Sequence, residues 1–316
     1  MRASKSAVVL ALLPALAGLP AAADDSFYDV PAPGVKVDLG GYRLHLHCQG
    51  EGSPTVVLDA GLGDWSTHWT AVQNLLRTDV RVCSYDRAGY GWSDPGPRPR
   101  DSARIVSELH SLLEIARIAP PYLLVGHSFG GLNMRLYAST YAGEVTGLVL
   151  VDASHPESLP YLRNEEGTAP ATSFANQLMV MYPVAPEQAK FPLEAQAAIH
   201  DNLLRTKSLV TSRAEYRHLG ASVKALQKAP PLGAVPLVVL SRGLRQWPAG
   251  KEGDDRERAW QAQQRELVNL SSMGSYRTAA QSGHQIHLHQ PEMVAEAVRE
   301  LLAVERSKLM AVSMPP

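Results

Sequence analysis

One turn in the middle of the chain constrains the fold more than any other feature. Residues 122–125 form an apolar run typical of a buried strand, the sequence GHSFG follows at 126–130, and a helical pattern covers 132–140. A strand that turns so sharply into a helix crowds its own backbone, and the glycines on either side of Ser128 leave it room. The pattern predicts that Ser128 stands at the carboxyl edge of a sheet and at a helix N-terminus, which favours developing negative charge.

Apolar runs and helical patterns alternate along most of the chain. The predicted strands are 42–48, 55–60, 81–85, 122–125, 148–151 and 236–241, with a weaker one near 276–279. The clearest predicted helices are 102–116, 132–140 and 291–304. This alternation predicts an α/β fold with a mostly parallel sheet that helices cover on both faces. The stretch from 155 to 231 has no good strand run, and we interpret it as a mostly helical insertion after the strand at 148–151.

The N-terminal segment has the pattern of a signal peptide. Arg2 and Lys5 precede an apolar run, and an Ala-x-Ala cleavage pattern ends at Ala23. The run is shorter than the roughly 20 apolar residues that a transmembrane helix needs, so an exported protein, periplasmic or secreted, with no membrane span is expected. The predicted division is a signal peptide at 1–23, a core at 24–154 and 232–306, a helical cap at 155–231 and a loose tail at 307–316.

Charge and cysteine content limit the classes of ligand. Lys and Arg number 30 and Asp and Glu 31, so no basic excess points to nucleic acid. The two cysteines, Cys48 and Cys83, have no CxxC spacing for zinc or redox chemistry. In an oxidising compartment they could form a disulfide between two early strands, or they could be two small buried side chains. The sequence leaves both possibilities open for the cysteines. With no charge excess to indicate nucleic acid, we expect a small molecule as the substrate.

Three segments together resemble a known family. They are GHSFG at 126–130, SYDRAGYGWSD at 84–94 and SGHQIHLHQPE at 282–292. In this order they resemble the nucleophile turn, the loop after the fourth strand and the histidine loop of α/β-hydrolases that carry a helical cap. The similarity covers roughly residues 37–304. It implies the α/β-hydrolase fold and esterase-like serine chemistry.

The resemblance also implies roles for individual residues. Ser128 would be the nucleophile, and His284 would be its base because it stands in a loop before the last helix. His287 and His289 are close competitors for that role. The oxyanion would be held by the backbone N–H groups of Phe129, which follows the nucleophile, and of Leu62, in the loop after the strand at 55–60, the third strand of the family.

The acidic member of the triad is the open question. Relatives often carry it shortly after the seventh strand, where residues 241–247 have no carboxylate. Asp152 stands at the end of the strand at 148–151, the sixth strand of the family, where some lipases of this fold keep their acid. Asp254 and Asp255 come later, in what we interpret as a charged, mobile loop. We favour Asp152 because a strand end holds a side chain in a well-defined place, with Asp254 and Asp255 as the alternatives.

The predicted activity is the hydrolysis of a carboxylic ester through an acyl-enzyme. Cleavage of an amide or peptide bond is the main alternative, and a catalytically silent binding protein on the same fold is the alternative from another class. No cofactor is expected. No metal is expected either, because the histidines show no H-E-x-x-H pattern or matching acidic partner.

Overall fold

The computed structural model describes residues 31–158 and 205–313, which form one sheet with helices packed on both faces. The strands are β1 Val35–Asp38, β2 Arg43–Gln49, β3 Thr55–Asp59, β4 Val82–Tyr85, β5 Tyr122–His127, β6 Val145–Val151, β7 Leu237–Arg242 and β8 Gly274–Ala279. The helices are α1 Thr70–Leu76, α2 Ser102–Ile115, α3 Phe129–Thr140, α4 Thr206–Gln227, α5 Lys251–Glu266, α6 Ile286–His289 and α7 Pro291–Ser313.

The eight strands lie in the order β1-β2-β4-β3-β5-β6-β7-β8. Strand β2 is antiparallel to both of its neighbours, and the pairings from β4 through β8 are all parallel. The predicted α/β fold with a mostly parallel sheet is therefore confirmed. Since parallel strands end at the same edge of a sheet, the segments after β3, β5, β6, β7 and β8 meet there, and that edge is where a site is expected.

The buried strands face two separate apolar cores. Alternate residues such as Val57 and Leu124 point to one face, where they pack with side chains of α2, α3 and α4. Their neighbours Val56 and Val125 point to the other face, where α1 and α7 cover them. Strands that are buried on both faces must be apolar at nearly every position, which is why they read as continuous runs rather than alternating ones.

The two cysteines lie opposite each other in the antiparallel pair of β2 and β4. Cys48 is the register partner of Cys83, and a disulfide joins them. The bond links a strand near the start of the chain to the parallel part of the sheet. The question that the sequence left open is thus answered in favour of the disulfide.

Four segments differ from the sequence-based expectations. Strand β1 and helix α1 were not predicted, because both are short and β1 is mostly exposed. The charged segment around Asp254 and Asp255, expected to be a loop, begins helix α5. Residues 307–313, expected to be part of a loose tail, continue helix α7 to Ser313. Charged helices of this kind show little apolar periodicity, so the sequence pattern does not reveal them.

Part of the predicted cap can be compared with the structure. Helix α4 lies within the predicted helical cap and packs against α2 and α3. The remainder of the cap, 159–204, lies outside the described residues, as does the predicted signal peptide at 1–23. None of the helices within residues 31–158 and 205–313 combines the length and apolar character that a bilayer crossing requires.

Candidate active site

Ser128 stands on a strained turn between β5 and α3. Its φ of 49° and ψ of −117° lie outside the regions that L-residues ordinarily occupy. Neighbouring backbone maintains the turn: the Ser128 N–H donates to Val151 O (3.2 Å), and its carbonyl accepts from the N–H of Ser154 (3.0 Å). These bonds fix the serine beside the end of β6. Strain of this kind persists only where the surrounding structure enforces it, and it is common at functional sites.

Two glycines make the turn sterically possible. A Cβ atom at Gly126 would lie 2.5 Å from the carbonyl oxygen of Gly130, and a Cβ atom at Gly130 would collide with the carbonyl oxygen of Asp59. The strand, the helix and the end of β3 therefore approach closely only because both positions lack a side chain. The interpretation of GHSFG as a strand-to-helix turn is correct.

His284 lies in the loop after β8 and is hydrogen-bonded to Asp152. The distance from His284 Nδ1 to Asp152 Oδ2 is 2.6 Å, and both side chains are buried. An ionised carboxylate can only accept, so the proton resides on Nδ1 and leaves Nε2 as the acceptor of a neutral ring. His127, next to the serine, donates from Nε2 to the carbonyl of His284 (3.1 Å). The histidine loop is thus tied to the serine turn.

Asp152 is held at the end of β6 by donors on both of its oxygens. Oδ1 accepts from the Arg242 backbone N–H (3.1 Å) and from Trp260 Nε1 (2.9 Å). Oδ2 accepts from an Arg242 guanidinium nitrogen (3.1 Å) as well as from His284. Asp152 also has a positive φ, 39°, one of three such non-glycine values among the described residues. The structure therefore brings Asp152 and His284 together, at the same edge of the sheet as the Ser128 turn.

The surroundings of Asp152 and His284 set their protonation states. Burial opposes ionisation of Asp152, but Arg242 and the hydrogen bonds from His284 and Trp260 outweigh burial and hold the pKa of Asp152 well below its usual range. Burial lowers the pKa of His284, with His127 and Arg242 acting in the same direction and Asp152 opposing them. At neutral pH the pair is therefore a carboxylate beside a neutral imidazole, which is the state a general base requires.

The two predicted oxyanion donors follow two neighbouring strands of the sheet, β5 and β3. Phe129 is the first residue of α3, so its N–H has no partner within the helix. Leu62 is buried in the loop that follows β3. Both belong to the same carboxyl edge of the sheet as Ser128. Their position fits backbone N–H groups that receive developing negative charge.

Asp254 and Asp255, the alternative acids, lie elsewhere. Both are in the first turns of α5 and are largely exposed. Asp254 pairs with Arg245, and Asp255 pairs with Arg258. Neither contact involves His284. The carboxylate that is hydrogen-bonded to the His284 ring is that of Asp152.

Arg242 and Trp260 are the site residues that the sequence did not predict. Arg242, the last residue of β7, also pairs with Glu257 (3.0 Å) and lies against the rings of Trp247 and Trp260. The sequence signal for this ion pair was a cation at the end of one buried strand, Arg242, and a carboxylate directly after the preceding buried strand, Asp152. No sequence pattern marks Trp260, which is 108 residues from its acceptor.

Two groups of side chains in the described part of the chain have donor atoms close enough to share a metal ion. Asp64, His127 and His287 form a buried group, and the buried His155 forms a second group with the exposed Glu157 and Glu266. In each group the donor atoms lie within 4.8 Å of one another. Asp64 lies 3.3 Å from His68 Nε2 and 3.7 Å from His127 Nδ1. The expectation that the chain uses no metal stays a prediction.

Comparison with known proteins agrees with the fold. The chain is 29% identical over 265 residues to the uncharacterized protein YqjL of Bacillus subtilis (strain 168), covering 83% of this chain and 89% of YqjL. A thermophilic esterase from Thermogutta terrifontis has a similar structure, with a TM-score of 0.63, 21% identity and coverage of 85% of this chain and 97% of the esterase. For the enol-lactonase of Burkholderia xenovorans LB400 the TM-score is 0.65, at 20% identity, with coverage of 85% and 100%.

A sequence model describing the alpha/beta hydrolase family matches residues 46–297. The match contains the strands from β3 through β8, the serine turn and the histidine loop. The structural neighbours share this architecture, so the resemblance inferred from the three sequence segments is confirmed. The chain belongs to the alpha/beta hydrolase family.

Proposed function

We propose that this chain is an exported serine hydrolase that cleaves carboxylic esters through an acyl-enzyme. The observation that carries the proposal is the 2.6 Å hydrogen bond from His284 to Asp152 at the sheet edge where Ser128 occupies its strained turn. A serine hydroxyl is a weak nucleophile until a base takes its proton, and a histidine held in one tautomer by a buried carboxylate is such a base.

In the first half of the reaction Ser128 Oγ attacks the carbonyl carbon of the ester. His284 Nε2 takes the hydroxyl proton as the new C–O bond forms, and Asp152 stabilises the imidazolium that results. The carbonyl oxygen becomes an oxyanion that the Leu62 and Phe129 N–H groups receive. Collapse of this intermediate expels the alcohol, which takes the proton from His284, and leaves the acyl group on Ser128.

In the second half, water repeats the sequence. His284 takes a proton from water, the hydroxide attacks the acyl carbon, and collapse returns the proton to Ser128 Oγ and releases the acid. A serine at the turn supports this route over one through an aspartyl ester, since a carboxylate nucleophile would be needed there instead. The esterase and lactonase among the structural neighbours also support ester substrates over amides.

The activity can be tested with a fluorophosphonate probe and two substrate panels. We expect the probe to add one label per chain, on Ser128, because a fluorophosphonate reacts with an activated serine. p-Nitrophenyl esters of increasing acyl length should be hydrolysed faster than aminoacyl p-nitroanilides. Labelling without turnover of any ester, with turnover of anilides, would favour an amidase. Absence of both labelling and turnover would refute the proposal in favour of a binding protein.

The activity should depend on pH through His284. The base must be neutral, so kcat/KM should rise with pH through the pKa of His284 and then level off. Since burial, His127 and Arg242 lower that pKa, the midpoint should lie below the ordinary histidine value of about 6.5. The rise is measured from about pH 4.5 to 8 with a p-nitrophenyl ester. A midpoint clearly above the ordinary value would contradict this assignment.

Export is supported by two independent features of the chain. The first 23 residues have the pattern of a cleavable signal, and the Cys48–Cys83 disulfide suits an oxidising compartment. We expect the mature protein to begin near Asp24 and to be recovered outside the cytoplasm. N-terminal sequencing of the protein from fractionated cells measures this, and a full-length chain in the cytoplasmic fraction would contradict it.

A further inference from the structure

A buried arginine contacts the loop that carries Leu62, and neither the sequence motifs nor the proposed reaction gives this arginine a role. Arg87 follows β4 and belongs to the SYDRAGYGWSD segment, and its side chain is only 1% exposed. Two buried carboxylates face it: Asp59, the last residue of β3, and Glu215, on α4. A guanidinium buried this completely must have hydrogen-bond partners, because each unsatisfied donor would be costly.

The guanidinium makes five hydrogen bonds, as many as it has N–H donors. Three reach carboxylate oxygens: Nε to Glu215 Oε1 (2.8 Å), one terminal nitrogen to Asp59 Oδ1 (2.8 Å) and the other to Glu215 Oε2 (3.1 Å). The remaining two reach carbonyl oxygens of the loop after β3, those of Ala60 (2.6 Å) and Gly61 (2.7 Å). The bonds to the carboxylates hold the guanidinium in place, and the bonds to the carbonyls hold the loop.

The bond to Gly61 determines the direction of the next N–H. The peptide between Gly61 and Leu62 is trans, as are all described bonds other than three before proline. In a planar trans peptide the carbonyl and the N–H point in opposite directions. Since the Gly61 carbonyl points at Arg87, the Leu62 N–H points away from it, and the peptide cannot rotate without losing a charged hydrogen bond.

Arg87 also contacts the residue of the second proposed donor. Its guanidinium carbon lies 5.5 Å from the centre of the Phe129 ring. On the far side, Asp59 accepts from Asn133 of α3 (2.8 Å), and Tyr90 donates to Glu215 (2.9 Å). The arginine therefore connects the loop of Leu62, the helix that begins at Phe129 and helix α4.

We propose that Arg87 is a positioning residue for the oxyanion hole, orienting the Leu62 N–H through the carbonyls of Ala60 and Gly61. The inference rests on the proposed serine-hydrolase function. Without the arginine, the Gly61 carbonyl would keep only its bond from the Asp64 N–H (3.1 Å), so the Leu62 N–H would be held less firmly toward the oxyanion and stabilisation of the transition state would fall. Preorganised donors contribute mainly where charge develops during the reaction, so substrate binding should change little.

The test variant is Arg87→Lys, which keeps the charge but has three donors in place of five. We expect kcat for p-nitrophenyl butyrate to fall about 10²-fold, comparable to the loss of one oxyanion donor, with KM within about threefold. A trifluoromethyl ketone forms a tetrahedral oxyanion on serine. Its inhibition constant should rise by the same factor by which kcat/KM falls. Loss of folded protein alone would not move an inhibition constant.

Arg100→Lys is the matched control. Arg100 is also buried and pairs with Glu108 (2.6 Å), but none of its hydrogen bonds within the described part of the chain reaches the Leu62 loop. It should lower the melting temperature while leaving kcat and the inhibition constant near wild type. If Arg87→Lys does not fold, the double variant Arg87→Lys with Glu215→Gln removes one buried charge and should show the same paired losses.

The failures are distinguishable. If the wild type neither hydrolyses esters nor reacts with a fluorophosphonate, the proposed function is wrong. If the wild type is active and the Arg87 variants match Arg100→Lys, with a lower melting temperature and an unchanged inhibition constant, Arg87 is only structural and the inference is overturned.

Discussion

Replacing Ser128 with alanine should reduce kcat on the order of 10⁶-fold, the size of loss associated with removing a triad nucleophile. Without Oγ there is no acyl-enzyme, and His284 and the backbone donors are left without a nucleophile to assist. The fold should persist because alanine keeps the Cβ atom, so the φ of 49° is no more strained than before. The measurements are ester turnover, fluorophosphonate labelling and thermal unfolding.

A matched substitution on the same helix controls for nonspecific effects. Ser139 lies in the last turn of α3, which begins directly after Ser128, and is similarly buried. Ser139→Ala should label and turn over as the wild type does. Activity of Ser128→Ala within tenfold of wild type would show that another residue is the nucleophile.

The extent to which the sequence predicts this fold varies with the kind of element. Strands buried on both faces, such as β3 and β5, were located within one or two residues, because continuous apolar runs bounded by turn residues are distinctive. Strand β1 was not, since only one of its four residues is even half buried. Helix α5 was not predicted for the same reason. It buries only Trp260, Gln263 and Gln264, which are too few to give an apolar face.

The site follows the same division between local and long-range information. The turn at Ser128 is a local pattern and was predicted completely. Asp152 was favoured because a strand end is a fixed position, but its partners Arg242 and Trp260 come from elements 90 and 108 residues away. Such pairings depend on the strand order and on how a helix lies over the sheet. These pairings therefore cannot be predicted from the sequence alone.

The network of Arg87 illustrates the limit most clearly. The arginine belongs to a segment that the sequence singled out, yet its partner Glu215 is 128 residues further on. Nothing in the sequence of α4 marks Glu215 as the buried member among its charged residues. Only packing of α4 against α2 and α3 places that carboxylate over the loop of Leu62.

The choice of the acid leads to the second large effect. Asp152→Asn should lower kcat by up to about 10⁴-fold, because the charge that stabilises the His284 imidazolium is lost. Asp152 also raises the proton affinity of His284, so its removal lowers the pKa of that ring further. The base is then both weaker and less well oriented.

The hydrogen bonds of Asp152 show why an amide cannot replace the carboxylate. Each oxygen accepts from two donors, Oδ1 from Arg242 and Trp260, and Oδ2 from Arg242 and His284. Either orientation of an asparagine side chain turns its NH₂ group toward two of these donors. If the NH₂ faces His284, it donates to Nδ1 and moves the ring proton to Nε2, where it blocks proton transfer from Ser128.

The variant should therefore also be less stable, by about 1–3 kcal/mol for buried donors left without an acceptor. Turnover must be compared at a temperature where thermal unfolding shows that the variant is fully folded. Asp254→Asn and Asp255→Asn are the controls, since both carboxylates are exposed and paired with arginines on or near α5. Those two variants should retain nearly full activity. Loss of several orders of magnitude in either one, with Asp152→Asn folded and near wild type, would move the acid to that residue and show that the 2.6 Å contact to His284 is only structural.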